Sequence, residues 1–255
     1  MPNIVACYKW VIDEADIKVN ADLSVDLSKA KGKISDYDRN AIEAAVKMAG
    51  QSGGRPVGLT FGSSKTRQSL KDALSRGLEE AYWVRAEEAE AADGNLTAQA
   101  LVAGIKAMGD VSLLICAEGS SDSYARQTAP RIAAALDLPV ITSVSQLKLE
   151  GQTLTAVRKL DDSMQTVKVD LPAVVAVLPE AFQPTIPGLK AVMAAGKKPV
   201  TEYDAKDLGV DLLAGRELIE VKAYAQKRKN IIIECDDAKA KVTALKAYLR
   251  KEGVL

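Results

Sequence analysis

Apolar runs that suit β-strands alternate with amphipathic segments that suit α-helices along the first part of the chain. The runs that predict strands cover residues 3–11, 56–62, 81–85, 111–117 and 139–144. Between them, apolar positions recur every three or four residues, which predicts helices over residues 37–50, 65–76, 96–108 and 125–136. Strands and helices in this order form right-handed crossovers, so the sheet should be parallel and covered by helices on both faces. The pattern therefore predicts a three-layer α/β fold.

Two further regions add antiparallel structure to this mostly parallel sheet. Residues 17–27 show the short polar alternation of a hairpin, and residues 152–159 and 166–170 form a second predicted antiparallel pair. An apolar strand over residues 171–178 then leads into a proline-containing segment and a short helix that carries Leu189. We expect the antiparallel strands to form a small addition to the α/β fold.

The pattern changes again near the C-terminus. Residues 208–228 have scattered apolar side chains, many charges and no clean period, so we expect an extended arm that lies on another surface. Residues 230–235 predict a terminal strand, and residues 236–251 predict an amphipathic helix. We therefore divide the chain into an α/β domain over residues 1–205 and a C-terminal arm with its strand and helix over residues 206–255.

Composition narrows the functional classes. Lys plus Arg and Asp plus Glu both number 34, so no net charge draws the chain toward nucleic acid or an anionic membrane. No apolar run approaches the ~20 residues of a membrane span, and we expect no membrane insertion. The N-terminal residues enter a strand directly, with neither a secretory signal nor a transit pattern. These features predict a cytoplasmic bacterial protein.

The chain contains no histidine. This excludes histidine acid–base catalysis, Ser-His and Cys-His nucleophiles and every metal site that uses histidine. The three cysteines, Cys7, Cys116 and Cys235, lie far apart in or beside apolar runs and form neither a metal-spaced pair nor a disulfide framework. We interpret them as small buried hydrophobic residues, and we expect no catalytic residue and no metal site.

Ligands of open parallel sheets bind beyond the carboxyl ends of the strands. The turns to consider are therefore residues 7–9, 35–38, 61–64 and 117–123. The last turn combines small hydroxyl residues with the start of a predicted helix, whose free N–H groups and dipole suit a phosphate, and Arg126, Gln127 and Thr128 fall in its opening turn. A plain helix cap by Ser or Asp, with Arg126 in solvent, explains the same residues. Sequence alone leaves both interpretations open.

Two familiar nucleotide motifs are incomplete. Residues 62–66 resemble a phosphate loop but lack the glycine before Lys-Thr, and no Gly-x-Gly-x-x-Gly follows the first strand. Residues 119–123 are similar to the phosphate loop of ATP pyrophosphatases, although that loop follows a first strand and this one follows the fourth. An ATP-binding α/β enzyme or a universal-stress-type nucleotide sensor that uses Ser120–Ser123 is therefore the alternative function.

Residues 171–200 carry the most specific signal. They offer no nucleophile, base or metal ligand, yet Leu189 and Met193 stand close to Lys197 and Lys198. A large apolar side chain that inserts into a partner is typical of a docking surface. The alternative is that Leu189 packs into the core beneath its own short helix.

The chain resembles electron transfer flavoprotein beta subunits over nearly its whole length. In the signature region of that family, the matching residues here are Val174, Ala176, Pro184, Leu189, Met193, Ala194, Lys197 and Lys198. Further matches lie in residues 35–45, where Ser35-Asp36 stands in place of the usual Asn-Pro, and in residues 72–77 and 127–129. Within the family it looks closest to the bacterial carnitine-associated type.

The resemblance implies a Rossmann-like, adenine-nucleotide-binding fold and a non-catalytic electron carrier. This chain would pair with an alpha subunit that holds the redox FAD, and would itself hold AMP or a second FAD. The nucleotide pocket implied by the resemblance comprises Cys7, Ser35, Asp36, Tyr37, Asp38, Phe61, Ala117, Glu118, Gly119, Ser120, Ser121, Asp122, Ser123, Tyr124, Ala125, Arg126, Gln127 and Thr128.

The resemblance also implies redox partners. An acyl-CoA dehydrogenase or reductase would dock on one segment of this chain, and a membrane quinone oxidoreductase is a further partner. The docking segment comprises Thr185, Ile186, Pro187, Gly188, Leu189, Lys190, Ala191, Val192, Met193 and Ala194, with Leu189 as the anchor.

Overall fold

Strands and helices alternate along the chain as the apolar pattern indicates. The structure is a computed structural model that describes residues 2–225 and 228–255. Its strands are β1 (Asn3–Cys7), β2 (Trp10–Ile12), β3 (Lys18–Val19), β4 (Val25–Asp26), β5 (Gly32–Ile34), β6 (Arg55–Gly62), β7 (Glu80–Arg85), β8 (Val111–Ala117), β9 (Val140–Glu150), β10 (Thr153–Lys159), β11 (Met164–Asp170), β12 (Ala173–Val177) and β13 (Val200–Asp204). Its α-helices are α1 (Asp36–Ser52), α2 (Arg67–Ser75), α3 (Gly94–Met108), α4 (Thr128–Leu136), α5 (Leu189–Ala195) and α6 (Ala238–Lys251).

A nine-stranded sheet forms the centre, in the order β11-β10-β9-β12-β8-β1-β6-β7-β13. The strands from β9 to β13 in that order are parallel to their neighbours, and β10 and β11 add an antiparallel extension at one edge. In register, Cys7 at the end of β1 stands opposite Leu59 on β6. The carboxyl ends of the central strands therefore meet at one edge, where the loops that follow them can form a common site.

Helices cover both faces of this sheet. Ile4 and Ala6 of β1 point into a core formed with α1 and α2, whereas Val5 and Cys7 point into a core formed with α3 and α4. Alternate side chains of a strand project to opposite faces, and β1 and β12 are buried on both, which explains their continuous apolar runs. The predicted α/β class, with its mostly parallel sheet and small antiparallel addition, is confirmed.

Several predicted element boundaries are wrong. The apolar run over residues 3–11 is not one strand, because the chain leaves the central sheet after Cys7 and β2 pairs with β5 in a small separate sheet. The helix predicted from residue 125 begins only at Thr128. Residues 230–235 form no strand in the described part of the chain, whereas β13, which the sequence did not predict, pairs with β7 at the sheet edge.

The described residues divide into two compact units. The larger contains the chain up to Lys18 together with Asp26–Val221, and the smaller contains Val19–Val25 and Lys222–Leu255. Leu208 and Val210 pack against the α3–α4 core, so the first part of the predicted arm belongs to the larger unit.

The smaller unit has little core of its own. Its two segments meet through an isolated bridge between Ser24 and Lys222. All of α6 is described, and none of its residues is buried. Apolar side chains such as Ile232 and Val242 are exposed. Across both units, no described helix combines the length and the apolar character that crossing a bilayer requires.

Candidate functional site

Three segments meet at the carboxyl edge of the sheet: the end of β1, the start of α1 and the loop after β8. The Ser121 N–H donates a hydrogen bond to the Ser35 hydroxyl at 3.1 Å. The Lys9 ammonium pairs with Asp122 at 2.5 Å, and the rings of Tyr37 and Tyr124 lie 5.2 Å apart. Three of the four turns that the sequence pointed to are thus brought together, whereas the turn at residues 61–64 bonds to Glu87 and Glu90 instead. We call Lys9, Ser35, Asp38 and residues 117–128 the nucleotide cradle, after the ligand that we propose for it below.

Two side chains at the start of α1 connect this helix to other segments of the cradle. Ser35 is fully buried at the N-cap position, but its hydroxyl accepts the Ser121 N–H instead of capping its own helix. Asp38, in the first turn, accepts the backbone N–H of Lys9 at 2.8 Å. Both side chains therefore tie the helix to neighbouring segments, and the Ser35 side chain makes no cap hydrogen bond to its own helix.

Asp38 is a buried carboxyl group in this arrangement. Burial raises its pKa to about 7, and the backbone N–H and the charge of Lys9 oppose that rise. Burial also favours the neutral form of Asp122, but hydrogen bonds from Lys9 and Ser120 outweigh it and hold the pKa of Asp122 below its usual value. Near neutral pH, Asp38 is therefore close to its titration point and Asp122 is ionised.

The loop after β8 is a series of tight turns. Asp122 accepts hydrogen bonds from the Ser120 hydroxyl and from the Ser123 N–H, and the Tyr124 N–H donates to the Ser120 carbonyl. Tyr124 has a φ of 44°, in the left-handed region that most residues avoid. A Cβ atom at Gly119 would lie 2.6 Å from the Tyr124 ring, so a glycine is needed for this close approach. The loop conformation thus depends on a pair, Gly119 and Tyr124.

Glu118 is the most unusual side chain of the cradle. Only 8% of the residue is exposed. One carboxylate oxygen accepts the Ser143 hydroxyl at 3.3 Å and lies 3.7 Å from the Arg126 Nε. The other oxygen is buried and has no hydrogen-bond partner among the described residues. The Ser121 hydroxyl is buried without a partner in the same way. Buried polar atoms normally have partners, so these two leave room for ligand hydroxyl or amino groups.

The start of α4 is the anion-binding part of the cradle. Thr128 and Ala129 open the helix, and no acceptor within the described ranges is recorded for their N–H groups. The hydroxyl-rich turn at Ser120–Ser123 lies upstream of the helix start and not in its first turn, because residues 119–127 form the loop. A phosphate would therefore face the first N–H groups of α4 and the Arg126 guanidinium, away from the Asp122 carboxylate.

These features fit a ligand that carries hydroxyl groups and a phosphate. Hydroxyl groups of a ribose suit the partnerless oxygen of Glu118, and a phosphate suits the start of α4. Arg126 stacks over the Tyr124 ring at 5.0 Å from its centroid, which holds the cation beside the loop. Among the described residues, no group of three Cys, Asp or Glu side chains is placed to hold a metal ion.

The remaining predicted residues have different surroundings. Cys7 and Phe61 are buried in the core with α3 and α4. The hydrogen bond with Cys7 and burial raise the pKa of the Cys116 thiol, so both thiols behave as buried apolar groups. Asp36 turns away from the cradle and pairs with Lys33 and Arg39. Ala125 is exposed in the loop, and Gln127 receives a hydrogen bond from Arg131.

A second feature is an exposed apolar surface at α5. Ile186, Leu189 and Met193 are 89%, 78% and 69% exposed, and we call these three residues the α5 surface. Leu189 and Met193 are four residues apart and share one face of the helix, while Ala195 on the other side is buried. The alternative that Leu189 is a core contact is therefore wrong. The rest of the predicted segment, from Thr185 to Ala194, is half-buried or exposed.

Sequence reasoning missed several residues that position these features. Ser143, which donates to Glu118, sits in β9 with a φ of 57° where the register shifts, and nothing in the sequence marks it. Glu43 accepts the Thr185 N–H at 3.0 Å from inside α1. Lys198 was counted with the surface cations, but its ammonium donates to the carbonyls of Leu74 and Leu78 at the end of α2.

Comparison with protein families agrees with this geometry. A family model described as the electron transfer flavoprotein domain matches residues 22–208. The match covers well over half of the chain and includes the start of α1, the loop after β8 and the α5 surface.

Proposed function

Because the chain belongs to the electron transfer flavoprotein family, we propose that it is the beta subunit of a bacterial electron transfer flavoprotein of the carnitine-associated type. It binds an adenine nucleotide, AMP or a second FAD, in the nucleotide cradle. It pairs with an alpha subunit that holds the main FAD, and it is not catalytic alone. The cytoplasm is the proposed location.

The residues of the cradle bind and orient the nucleotide. The backbone N–H groups at Thr128 and Ala129 and the Arg126 side chain hold the phosphate. The partnerless oxygen of Glu118 and the Ser121 hydroxyl accept or donate hydrogen bonds to the nucleoside. We also propose that Cys7 and Phe61, which are buried in the core with α3 and α4, lie beneath the nucleotide. The ion pair between Lys9 and Asp122 keeps the loop folded against the start of α1.

Electron transfer requires distance and orientation more than proton chemistry from this chain. The FAD of the heterodimer supplies the electron-carrying chemistry when it is bound, and the protein tunes and positions it. A chain without histidine suits that positioning role. Transfer begins when an acyl-CoA dehydrogenase or reductase docks on residues 185–194 and ends with another redox partner, such as a membrane quinone oxidoreductase.

The C-terminal residues 206–255 provide the contact with the alpha subunit. Within the larger unit, Leu218 and Ile219 are exposed, and within the smaller unit, Tyr224 and Ile232 are exposed. Exposed apolar side chains in this number mark an interaction surface. Residues 230–235 have the composition of a strand but form none in the described structure, and the alpha subunit can supply the neighbouring strand that they need.

One observation carries the proposal: the 117–128 loop is bound to the end of β1 and to the start of α1, and it contains a buried carboxylate oxygen without a partner among the described residues, in a chain of this family. The α5 surface adds an apolar anchor that no described residue covers.

A kinetic experiment tests the docking part. The chain is co-expressed with its alpha subunit, and an acyl-CoA dehydrogenase from the same organism reduces the bound FAD. Leu189→Ala should lower the second-order rate by about tenfold or more, because a central apolar anchor is commonly worth about 2 kcal/mol. Met164→Ala, an exposed side chain on the edge strand β11, is the matched control and should leave the rate unchanged. Equal rates for both variants would remove the docking surface from the proposal.

A further inference from the structure

A cavity of about 400 Å³ opens beside the α5 surface. The side chains of Asp36 and Arg39, at the start of α1, and of Arg76, just after α2, line one wall. Gln183, Pro184, Ile186 and Pro187, in the segment that leads into α5, line the other wall. No side chain that builds the nucleotide cradle lines it, so this is a separate site.

Arg39 and Arg76 both have N–H donors without a hydrogen-bond acceptor among the described residues. The Arg76 Nε donates to Asp72 at 3.0 Å, and no acceptor among the described residues is recorded for its two terminal nitrogens. Arg39 pairs with Asp36 through one terminal nitrogen at 2.6 Å, and its Nε is buried without a hydrogen-bond partner. A guanidinium presents its N–H donors in a fork that matches the two oxygens of a carboxylate. A carboxylate in the cavity would therefore supply the acceptor that these donors lack.

The charge of the cavity is positive. Asp36 is its only acidic lining residue in the described parts of the chain, and Asp36 already pairs with Lys33 at 2.8 Å as well as with Arg39. Arg76 lines the cavity and pairs with Asp72 among the described residues, through its Nε. An anionic group is the electrostatic complement of such a site.

The apolar wall is held in place before any ligand arrives. The Thr185 N–H donates to the buried carboxylate of Glu43. Lys47 pairs with Glu43 at 3.5 Å and lies over the Phe182 ring at 5.5 Å from its centroid. Prolines at positions 184 and 187 stiffen the segment further. The cavity is thus preformed, which lowers the entropy cost of filling it.

Ile186 connects the cavity to the α5 surface. It lines the cavity and is also the most exposed member of that surface. A molecule that covers Leu189 and Met193 therefore passes the mouth of the cavity, and the exposed Lys190 and Lys197 add positive charge around the same face. A free small anion would satisfy the arginines but leave the adjoining apolar side chains uncovered. A docked protein can supply an acceptor to the arginines and also cover the apolar side chains.

We propose that this cavity receives an aspartate or glutamate side chain of the protein that docks on the α5 surface. The proposal deepens the proposed function and rests on its docking surface. Leu189 then provides apolar affinity, while Arg39 and Arg76 fix the register of the partner by a charge-assisted, forked hydrogen bond.

The test measures the dissociation constant between the intact heterodimer and the acyl-CoA dehydrogenase that reduces it. Arg76→Gln removes the charge and the fork and should weaken binding by about tenfold at about 50 mM salt, with a smaller effect at about 300 mM. Arg76→Lys keeps the charge without the fork and should fall between Arg76→Gln and the wild type. Arg67→Gln removes the same charge from exposed α2 surface outside the cavity and should change binding less than twofold.

Arg39→Gln is a second variant, in α1 rather than after α2, and it should also weaken binding if Arg76→Gln acts through the cavity and not by loosening α2. If Leu189→Ala weakens binding while Arg76→Gln and Arg39→Gln bind like the wild type, the cavity proposal is wrong and the docking surface stands. The proposal also fails if Arg67→Gln and Arg76→Gln weaken binding equally, or if the arginine variants change only the binding of inorganic phosphate. If Leu189→Ala also binds like the wild type, the docking surface itself is wrong.

Discussion

Asp38→Asn should make the protein more stable above neutral pH. Burial raises the pKa of Asp38 from 3.8 to about 7. Each pKa unit corresponds to about 1.4 kcal/mol, so the ionised carboxylate costs the folded state roughly 4 kcal/mol. The folded chain binds this proton more tightly than the unfolded chain. The stabilisation of the folded state by protonated Asp38 is therefore fully present below about pH 4 and is lost as the pH rises to about 7.

The asparagine variant keeps an oxygen that can accept the Lys9 N–H but carries no charge to bury. Its free energy of unfolding should match that of the wild type near pH 4 and exceed it by up to ~4 kcal/mol above about pH 7, with a slope near 1.4 kcal/mol per pH unit between. Urea unfolding followed by circular dichroism at several pH values measures this difference. Asp13→Asn is the control, because the Ala15 N–H holds the pKa of Asp13 below its usual value, so the difference should stay flat above about pH 5. A flat difference for Asp38→Asn, or one that grows as pH falls, would refute the assignment of Asp38 as a buried carboxyl near its titration point.

Two further substitutions test the loop and the support of α5. Gly119→Ala places a methyl group 2.6 Å from the Tyr124 ring and should lower the unfolding free energy by about 1–3 kcal/mol, whereas Gly50→Ala, which meets nothing within 4 Å, should be neutral or stabilising. Adding Tyr124→Ala to the first variant should restore most of the loss, and no recovery would show that the clash lies elsewhere. Lys198→Gln removes a donor from two carbonyl groups at the end of α2 and should cost about 1–3 kcal/mol. Lys197→Gln, beside it on the surface, should cost nothing measurable, and equal losses would contradict the role of the half-buried Lys198 as a donor to these carbonyl groups.

Most of the sheet was predictable because its central strands are buried on both faces. Continuous apolar runs mark such strands, and the prediction for β8 matches its observed bounds, Val111–Ala117. The prediction of one strand over residues 3–11 was wrong because the apolar character continues across the point where β1 ends and β2 joins another sheet. The edge strand β13 is half-exposed and polar in part, so periodicity gave no signal. Residues 230–235 have strand-like composition, but a strand also needs a partner for its hydrogen bonds.

The site was predictable at the level of turns and not at the level of contacts. Topology pointed to the turns at residues 7–9, 35–38, 61–64 and 117–123 in advance, and the family resemblance implied the fuller set up to residue 128. The partners that fix them come from distant parts of the chain. Ser143 reaches Glu118 from a bulged strand, and Glu43 holds Thr185 across 142 positions. These pairs come together only in the folded structure, and no local sequence pattern predicts them.

The identity of the nucleotide in the cradle tests the central claim most directly. The chain is co-expressed with its alpha subunit, the purified complex is denatured, and the released nucleotides are quantified by mass spectrometry. We predict a stoichiometric adenine nucleotide in addition to the FAD of the alpha subunit. AMP with one FAD per heterodimer indicates a simple carrier, and two FAD indicate a second flavin in the cradle. Release of ATP, or of no second nucleotide, from a chain that forms no stable pair would contradict the account.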